Sequence, residues 1–316
     1  MPLRITAIGG GTGQPPILIG ILKLLHDLDI EISAVVGTWD NGGSSGKLRD
    51  LYGVMPPGDI LKNILALTPP ENRNISEILL RRYDRRFPKL FEHNTGNMLL
   101  TAFEKHMGII PAIRAIENIV ESKGRVYPVT ENKTDLRAEM ARVKSVSVSS
   151  EKEIEERLES NYRITKLWLE PETKDLPGLE PLRKTDVLII SPGSIFTSIT
   201  PHFTIKEIRE QCDKIKTKIL IANLVDKHFN VEEYLKAMCI WIGITPDYII
   251  FNSTKINNQK YETHGYKQIC IPNDTHTDKI TCISRPVLKN DDKLLRHDPK
   301  RTGAAITEIL SKERLI

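Results

Sequence analysis

Apolar and polar positions alternate in a regular succession along the chain. Residues 3–8 make a short apolar run, Gly9-Gly-Gly-Thr-Gly13 interrupts it, and Leu18, Ile21, Leu22 and Leu25 then repeat at helical spacing within residues 15–28. Pro15 and Pro16 suit a first helical turn, where a missing N–H costs nothing. A second apolar run, residues 32–37, stops at Thr38-Trp-Asp-Asn-Gly-Gly-Ser-Ser-Gly46, which reads as a polar loop continuing to Lys47 and Arg49. Asp59 is the expected N-cap of a helix over 60–68. Asn74-Ile-Ser-Glu77 has the spacing of a capping box, opening a helix with Arg81, Arg82, Arg85 and Arg86 on a solvated face. His93-Asn-Thr-Gly-Asn97 precedes a helix over 98–106, and Pro111 starts one that ends at Gly124.

The character changes at residue 125. Short, partly alternating segments at 126–129, 136–143, 146–148 and 162–169, broken by a charged helical stretch at 151–159, predict a small antiparallel β excursion over about 125–170. Beyond it, strands at 186–190, 217–223 and 247–252 alternate with helices at 204–212 and 231–241, and a helix over 303–312 closes the chain. Strand–helix alternation predicts an α/β fold of Rossmann-like type, a three-layer αβα sandwich on a mainly parallel sheet.

Composition narrows this little. At 316 residues with 40% apolar and 27% charged, the chain has enough material for a real core. Lys plus Arg is 45 against 41 acids, a net +4. That excess suits an anionic small ligand and is too dispersed for a nucleic-acid face. No apolar run reaches the ~18 residues of a membrane span. The N-terminal residues run into a strand without a signal-peptide pattern, so a cytoplasmic protein is expected. Cys212, Cys239, Cys270 and Cys282 form no C-x-x-C pair and read as buried free thiols.

The candidate chemistry sits in Gly-rich segments at strand ends, where α/β sheets hold ligands. Gly9–Gly13 is neither a P-loop, since Gln14-Pro15 stands where Lys-Ser/Thr is required, nor a dinucleotide fingerprint, since the sixth position is Gln14 or Pro16. That argues against an NAD(P) oxidoreductase. Free backbone N–H groups at a helix start still favour an anion. Ser191-Pro-Gly-Ser194 with Thr197-Ser198 repeats the pattern after the strand at 186–190. His297, between Arg296 and Asp298, could be a catalytic base, but with no local partner it reads first as a structural histidine in a charged turn. The scattered histidines give no metal motif.

Taken in order, Gly9–Gly13, Asp40–Gly46, Pro56-Pro-Gly-Asp59, Gly96-Asn97, Ser191–Ser194 with Thr197-Ser198, and Arg296–Asp298 resemble the CofD-like superfamily, most closely its bacterial gluconeogenesis-factor (YvcK-like) branch. The likeness runs over essentially the whole chain, one domain of residues 1–316. It implies a cytoplasmic regulatory protein that binds UDP-sugars, notably UDP-N-acetylglucosamine, and is needed for cell shape and wall synthesis on gluconeogenic carbon sources. For the CofD branch it implies 2-phospho-L-lactate transfer from a nucleotide carrier to a deazaflavin, with magnesium. In the first reading the nucleotide sugar lies across Gly9–Gly13, Asp40–Ser45 and Ser191–Ser194. Backbone N–H groups of Gly10, Gly11, Thr12, Gly13, Gly193 and Ser194 hold the diphosphate, supplemented by the Ser44 and Ser45 hydroxyls. Asp40, Asn63 and Asn97 bind sugar or ribose hydroxyls, and Arg296 pairs with a phosphate. Thr38, Asn41, Gly43, Asp59, Gly96 and Asn223 complete the expected ligand set. In the transferase reading Asp40 or Asp59 meets magnesium or takes a proton. No metal site of the protein's own is expected, no nucleic acid, and a homodimer is the default assembly.

Two departures from the family pattern matter. Asn41 stands where many relatives carry a second acid, which removes a carboxylate. After Asn223 the loop reads Leu-Val-Asp-Lys-His-Phe-Asn230, where relatives have Thr, Gln, Pro and Gly. The Asn-Gly-Gly-Ser-Ser-Gly segment, absent from the deazaflavin-transferring branch, points to the YvcK-like side.

Overall fold

The computed structural model describes the chain apart from residues 25–27, 89, 257–260, 262, 278 and 290–293. Among the described residues, eight strands make a mostly parallel sheet with helices on both sides, the expected three-layer α/β arrangement. In chain order they are β1 (Leu3–Gly9), β2 (Ile30–Val36), β3 (Arg125–Pro128), β7 (Val187–Ile190), β8 (Thr217–Ile221), β10 (Tyr248–Asn252), β12 (Thr275–His276) and β13 (Thr281–Arg285). The hydrogen-bonded order is β12-β13-β10-β8-β7-β1-β2-β3. Every residue of β7 and β8 is buried, which is why these strands read as unbroken apolar runs rather than alternating ones.

The chain divides into two compact units. The first comprises Met1–Ile32 and Pro181–Ile316. In it β1 pairs in parallel with β7, β7 with β8, β8 with β10 and β10 with β13. Helix α1 (Gln14–Leu24) packs on α12 (Pro299–Lys312). The approach is close enough that a Cβ on Gly20 would stand 2.2 Å from the Pro299 carbonyl oxygen. α12 begins at Asp298, whose side chain accepts from Arg301 N–H at 2.9 Å and so caps it.

The second unit, Ser33–Glu180, holds β2 paired in parallel with β3, and the antiparallel excursion. The excursion is a three-stranded sheet of β4 (Asp135–Ala141), β5 (Ser145–Ser149) and β6 (Arg163–Glu170) in the order β5-β4-β6, with α7 (Glu151–Glu159) on it. Helices α2 (Gly43–Tyr52), α3 (Pro57–Ala66), α4 (Arg73–Leu80), α5 (Thr95–Met107) and α6 (Ile109–Ile119) belong to this unit too.

Several local expectations need correction here. The segment read as a loop through Arg49 is helical from Gly43 onward. Its Gly and Ser residues are weak helix formers, and packing overrides them: Gly46 lies so close to Asn41 that a Cβ would meet its carbonyl oxygen at 2.0 Å. Arg49 is buried, not in a ligand loop, and donates to the Thr134 carbonyl at 2.8 Å and to Asp135 at 2.6 Å. Asp59 is not an N-cap, because α3 starts two residues earlier with Pro56 at the cap and Pro57 inside. Asn74-Ile-Ser-Glu77 lies within α4 and caps nothing. α4 ends at Leu80, so Arg81, Arg82, Arg85 and Arg86 follow the helix instead of lining its face. Of the four free thiols, Cys212 and Cys282 are buried and Cys239 and Cys270 only partly so. No described helix is long and apolar enough to cross a membrane.

One carboxyl of the second unit sets a pH dependence. Glu104 on α5 accepts the Met55 N–H at 2.8 Å, while its other oxygen is buried without a partner among the described residues. Burial pushes this carboxyl up from 4.5 to about 7. The folded state therefore holds the proton more tightly than the unfolded chain, and the stability so gained is lost as pH rises from 4.5 to about 7. Glu104→Gln removes the ionisation and keeps an acceptor for Met55. Its thermal midpoint is expected to match the wild type near pH ~5 and to exceed it by several degrees near pH ~8. Equal midpoints at the higher pH would mean that the carboxyl is solvated.

Candidate functional site

In the first unit the turn between β1 and α1 is pressed against the loop that follows β7. A Cβ on Gly13 would stand 1.9 Å from the Pro192 carbonyl oxygen, and one on Gly9 would stand 2.9 Å from Ser191 Cβ. Only glycine allows that approach. Gln14, at the helix start, turns back to donate to the Ala7 carbonyl at 3.1 Å. Thr12 is exposed at the tip of the turn and Gly11 is buried. Beneath the turn lies His202, fully buried, which hydrogen-bonds the backbone of Ile199, Ser198 and Gly9; burial pushes its imidazole down to about 4. It is a neutral strut.

The loop after β7 differs from the expectation in one respect. Gly193 N–H donates to Asn223 Oδ1 at 2.8 Å, and Asn223 Nδ2 donates back to the Gly193 carbonyl at 2.9 Å. That N–H is already committed, so it is not a free donor for a diphosphate. Asn223, in turn, holds the loop in place. Its own N–H donates to the hydroxyl of buried Tyr234 at 3.1 Å. Ser194 Oγ accepts from Thr197 N–H at 3.3 Å and caps the helical turn Ile195–Ile199. Arg296 is exposed, and its carbonyl accepts from Lys289 N–H at 2.8 Å. His297 is structural, as expected: Nε2 lies 3.1 Å from the Ala222 carbonyl, and burial pushes the ring down to about 4.

The second unit holds a pocket of about 270 Å³ at the N-terminal ends of α2, α3 and α5. Asp40, Gly43, Ser44, Ser45 and Asn97 of the expected ligand set line it, with Lys62, Arg82 and Asn94 in addition. Asp40 accepts the Gly42 N–H at 2.8 Å. Its carboxyl is held above the usual range, first by burial and then by the negative charge of Asp59, against the Gly42 N–H, Lys62 and a hydrogen bond from Ser45. Ser45 Oγ accepts from Gly58 N–H at 3.0 Å, and a Cβ on Gly58 would fall 2.3 Å from that oxygen. Asp59 pairs with Lys62 at 3.0 Å, and Asn63 donates to the Asp59 carbonyl at 2.8 Å. Gly96 sits against Leu61. Thr38 is fully buried, with its hydroxyl unpartnered among the described residues, whereas Asn41 is exposed.

Three functional candidates escaped the linear reading. Arg82 reaches the pocket rim because the chain after α4 bridges back to Asn94. His93 is buried, with Nδ1 2.8 Å from Ser44 Oγ. Glu151, the first residue of α7, shares electrostatics with Asp40 and Asp59. Burial, then those two charges, push it up to about 8, while a hydrogen bond with Trp39 opposes them. Only the fold brings residue 151 to residue 40. For His93 the signal was its place directly before the Asn94 cap.

A family model described as 2-phospho-L-lactate transferase CofD matches residues 5–288. The gluconeogenesis factor of Bacillus subtilis is 29% identical over 98% of this chain and 98% of its own length. The gluconeogenesis factor of Listeria monocytogenes is also 29% identical, over 98% and 96%. Among solved structures, a UPF0052-family protein of Bacillus halodurans superposes with a TM-score of 0.84 at 26% identity, covering 97% of this chain and 99% of that one.

Proposed function

The chain belongs to the 2-phospho-L-lactate transferase CofD family, and from that membership we propose that it is a gluconeogenesis-factor-type regulatory protein that binds a nucleotide sugar of the UDP-N-acetylglucosamine kind. We place it in the cytoplasm, serving cell shape and wall synthesis during growth on gluconeogenic carbon. The observation that carries this reading is the state of the two acids in the second unit. Asp40 is engaged by Gly42 N–H and Ser45, and Asp59 by Lys62. Acids committed in this way offer hydrogen-bond acceptors to a ligand rather than a free base. The Gly9–Gly13 turn of the first unit, at the start of α1, has the chemistry to take a phosphate group.

The transferase reading rests on one observation, the raised carboxyls of Asp40 and Glu151 beside Asp59. Among the described residues no three His, Cys, Asp or Glu side chains are grouped to hold an ion. Magnesium usually takes one or two carboxylates and completes its shell with substrate phosphates and water, so Asp40 fits as one ligand. Bound there, the ion would neutralise charge developing on a transferred phosphoryl group.

Thermal unfolding with UDP-N-acetylglucosamine, UDP-glucose, GDP, GTP and a deazaflavin, each with and without Mg²⁺, separates the two readings. A ligand at a hundredfold excess over its Kd stabilises by ~2.7 kcal/mol, a midpoint rise of several degrees here. A rise confined to UDP-sugars and indifferent to Mg²⁺ is expected. A Mg²⁺-dependent rise with guanine nucleotides or the deazaflavin would put the transferase first.

A further inference from the structure

Ser44, His93 and Asn97 form a buried chain behind the pocket of the second unit, 5%, 8% and 2% exposed. Asn97 Nδ2 lies 3.2 Å from Ser44 Oγ and has only hydrogens to give, so Ser44 accepts there. The Ser44 hydroxyl has one proton, and His93 Nδ1, 2.8 Å away, accepts it when the neutral ring carries its hydrogen on Nε2. That leaves one lone pair on Ser44 Oγ. Asn97 Oδ1 is likewise a buried acceptor without a partner among the described residues. Both residues line the pocket.

The imidazole is held in position by costly means. Glu92, just before it, has φ of 73°, a conformation that side chains other than glycine rarely adopt. Its carboxylate pairs with Lys47 on α2, and its carbonyl accepts from Arg82. The His93 backbone is bonded on both sides, to the Leu90 carbonyl at 2.9 Å and to Tyr83 N–H at 3.0 Å.

We propose that His93 is a specificity-determining positioning residue: by taking the Ser44 proton in a hydrogen bond it leaves Ser44, with Asn97 Oδ1, as an acceptor wall that selects hydroxyl or amide N–H groups of a ligand, such as those of a sugar, over phosphate oxygens. This inference rests on the nucleotide-sugar reading and assigns the sugar, not the diphosphate, to Ser44. It reverses the expectation that the Ser44 hydroxyl donates to phosphate. Protonated His93 donates to Ser44 instead, turning the hydroxyl proton into the pocket and the wall from acceptor to donor. The charged groups facing His93 are Lys47 from α2 and Glu92 and Arg82 from the segment before it; burial and the two cations favour the neutral ring, while Glu92 opposes them. Among the described residues, α5 and its cap bring the amides of Asn97 and Asn94 to this wall.

The test is calorimetric titration with UDP-N-acetylglucosamine across pH ~5 to ~8, beside long-range nitrogen–proton NMR of the imidazole without ligand. Wild-type affinity is expected to fall about tenfold as pH drops below the ordinary histidine range and His93 protonates. His93→Asn places an untitratable amide oxygen near the Nδ1 position and is expected to bind within about threefold of wild type, with no pH dependence in that window. His93→Ala is expected to be about tenfold weaker near neutral pH. A level wild-type profile while His93 titrates by NMR overturns the inference. So does an Nδ1–H tautomer in the free protein. If no nucleotide sugar binds at any pH, the proposed function falls, and the tautomer still decides the Ser44–His93 arrangement.

Discussion

Gly13→Ala is expected to lower the stability of the first unit by ~2–4 kcal/mol, because the added methyl has no place to go. It would stand 1.9 Å from the carbonyl oxygen of Pro192 and 2.8 Å from its carbonyl carbon. Those are backbone atoms, not the yielding end of a side chain. The loop that carries them is held by the reciprocal hydrogen bonds between Gly193 and Asn223. Relief must therefore come from moving the β1–α1 turn, which rests on His202. Thermal unfolding of Gly13→Ala against Thr12→Ala, whose side chain is exposed on the same turn, isolates the effect. Thr12→Ala is expected to stay within ~0.5 kcal/mol of wild type. If both variants unfold together, the close approach to Pro192 does not exist in solution.

Glu117→Ala is expected to cost the second unit a comparable ~2–4 kcal/mol. Glu117 lies on α6 with 1% of its side chain exposed. It accepts two bonds from Arg114 at 2.8 Å, one from Arg125 at 2.8 Å and one from Val126 N–H at 2.7 Å. A buried carboxylate is tolerable only when its lone pairs are filled in this way. Removing it leaves the Val126 N–H of β3 without its acceptor and two cations without their counter-charge. The cost stays below the upper range for buried pairs because Arg114 and Arg125 are 26% and 54% exposed and can hydrate. Denaturant unfolding of Glu117→Ala and Glu117→Gln checks this, with Gln expected between Ala and wild type. A loss under ~1 kcal/mol for Ala would show that the cluster contributes no more than a surface ion pair.

Local pattern was sufficient for most of the framework. The strands β1, β7, β8 and β10 are apolar runs too short for helices and bounded by Gly, Asn or Asp, and burial on both faces follows from a parallel sheet. α11 (Val231–Ile242) keeps its 3.6-residue periodicity between the Asn230 cap and Gly243. The excursion after residue 125 was visible as a loss of helical period. Local signals failed where packing opposes propensity. Gly43–Tyr52 is a helix although it opens Gly-Ser-Ser-Gly, because its first turn packs against Asn41 and Gly58. Asp59 moved from cap to first turn because two prolines precede it.

The glycines and hydroxyls of the candidate site were legible because close approach and turn geometry restrict residue type locally. Their partners were not. Asn223 looked like a ligand contact and proves to hold Gly193, a relation across 30 positions. Ser44 meets His93 across 49 positions. Glu151 acquires its raised pKa only where the fold buries it and then sets it in the field of Asp40 and Asp59. Sequence by itself determined the α/β class, the family and the identity of the Gly-rich segments, because period, turn chemistry and residue type act over a few positions. The tertiary structure alone decided which polar groups are already satisfied and which face a ligand, because hydrogen-bond saturation and desolvation depend on neighbours that the chain brings from far away.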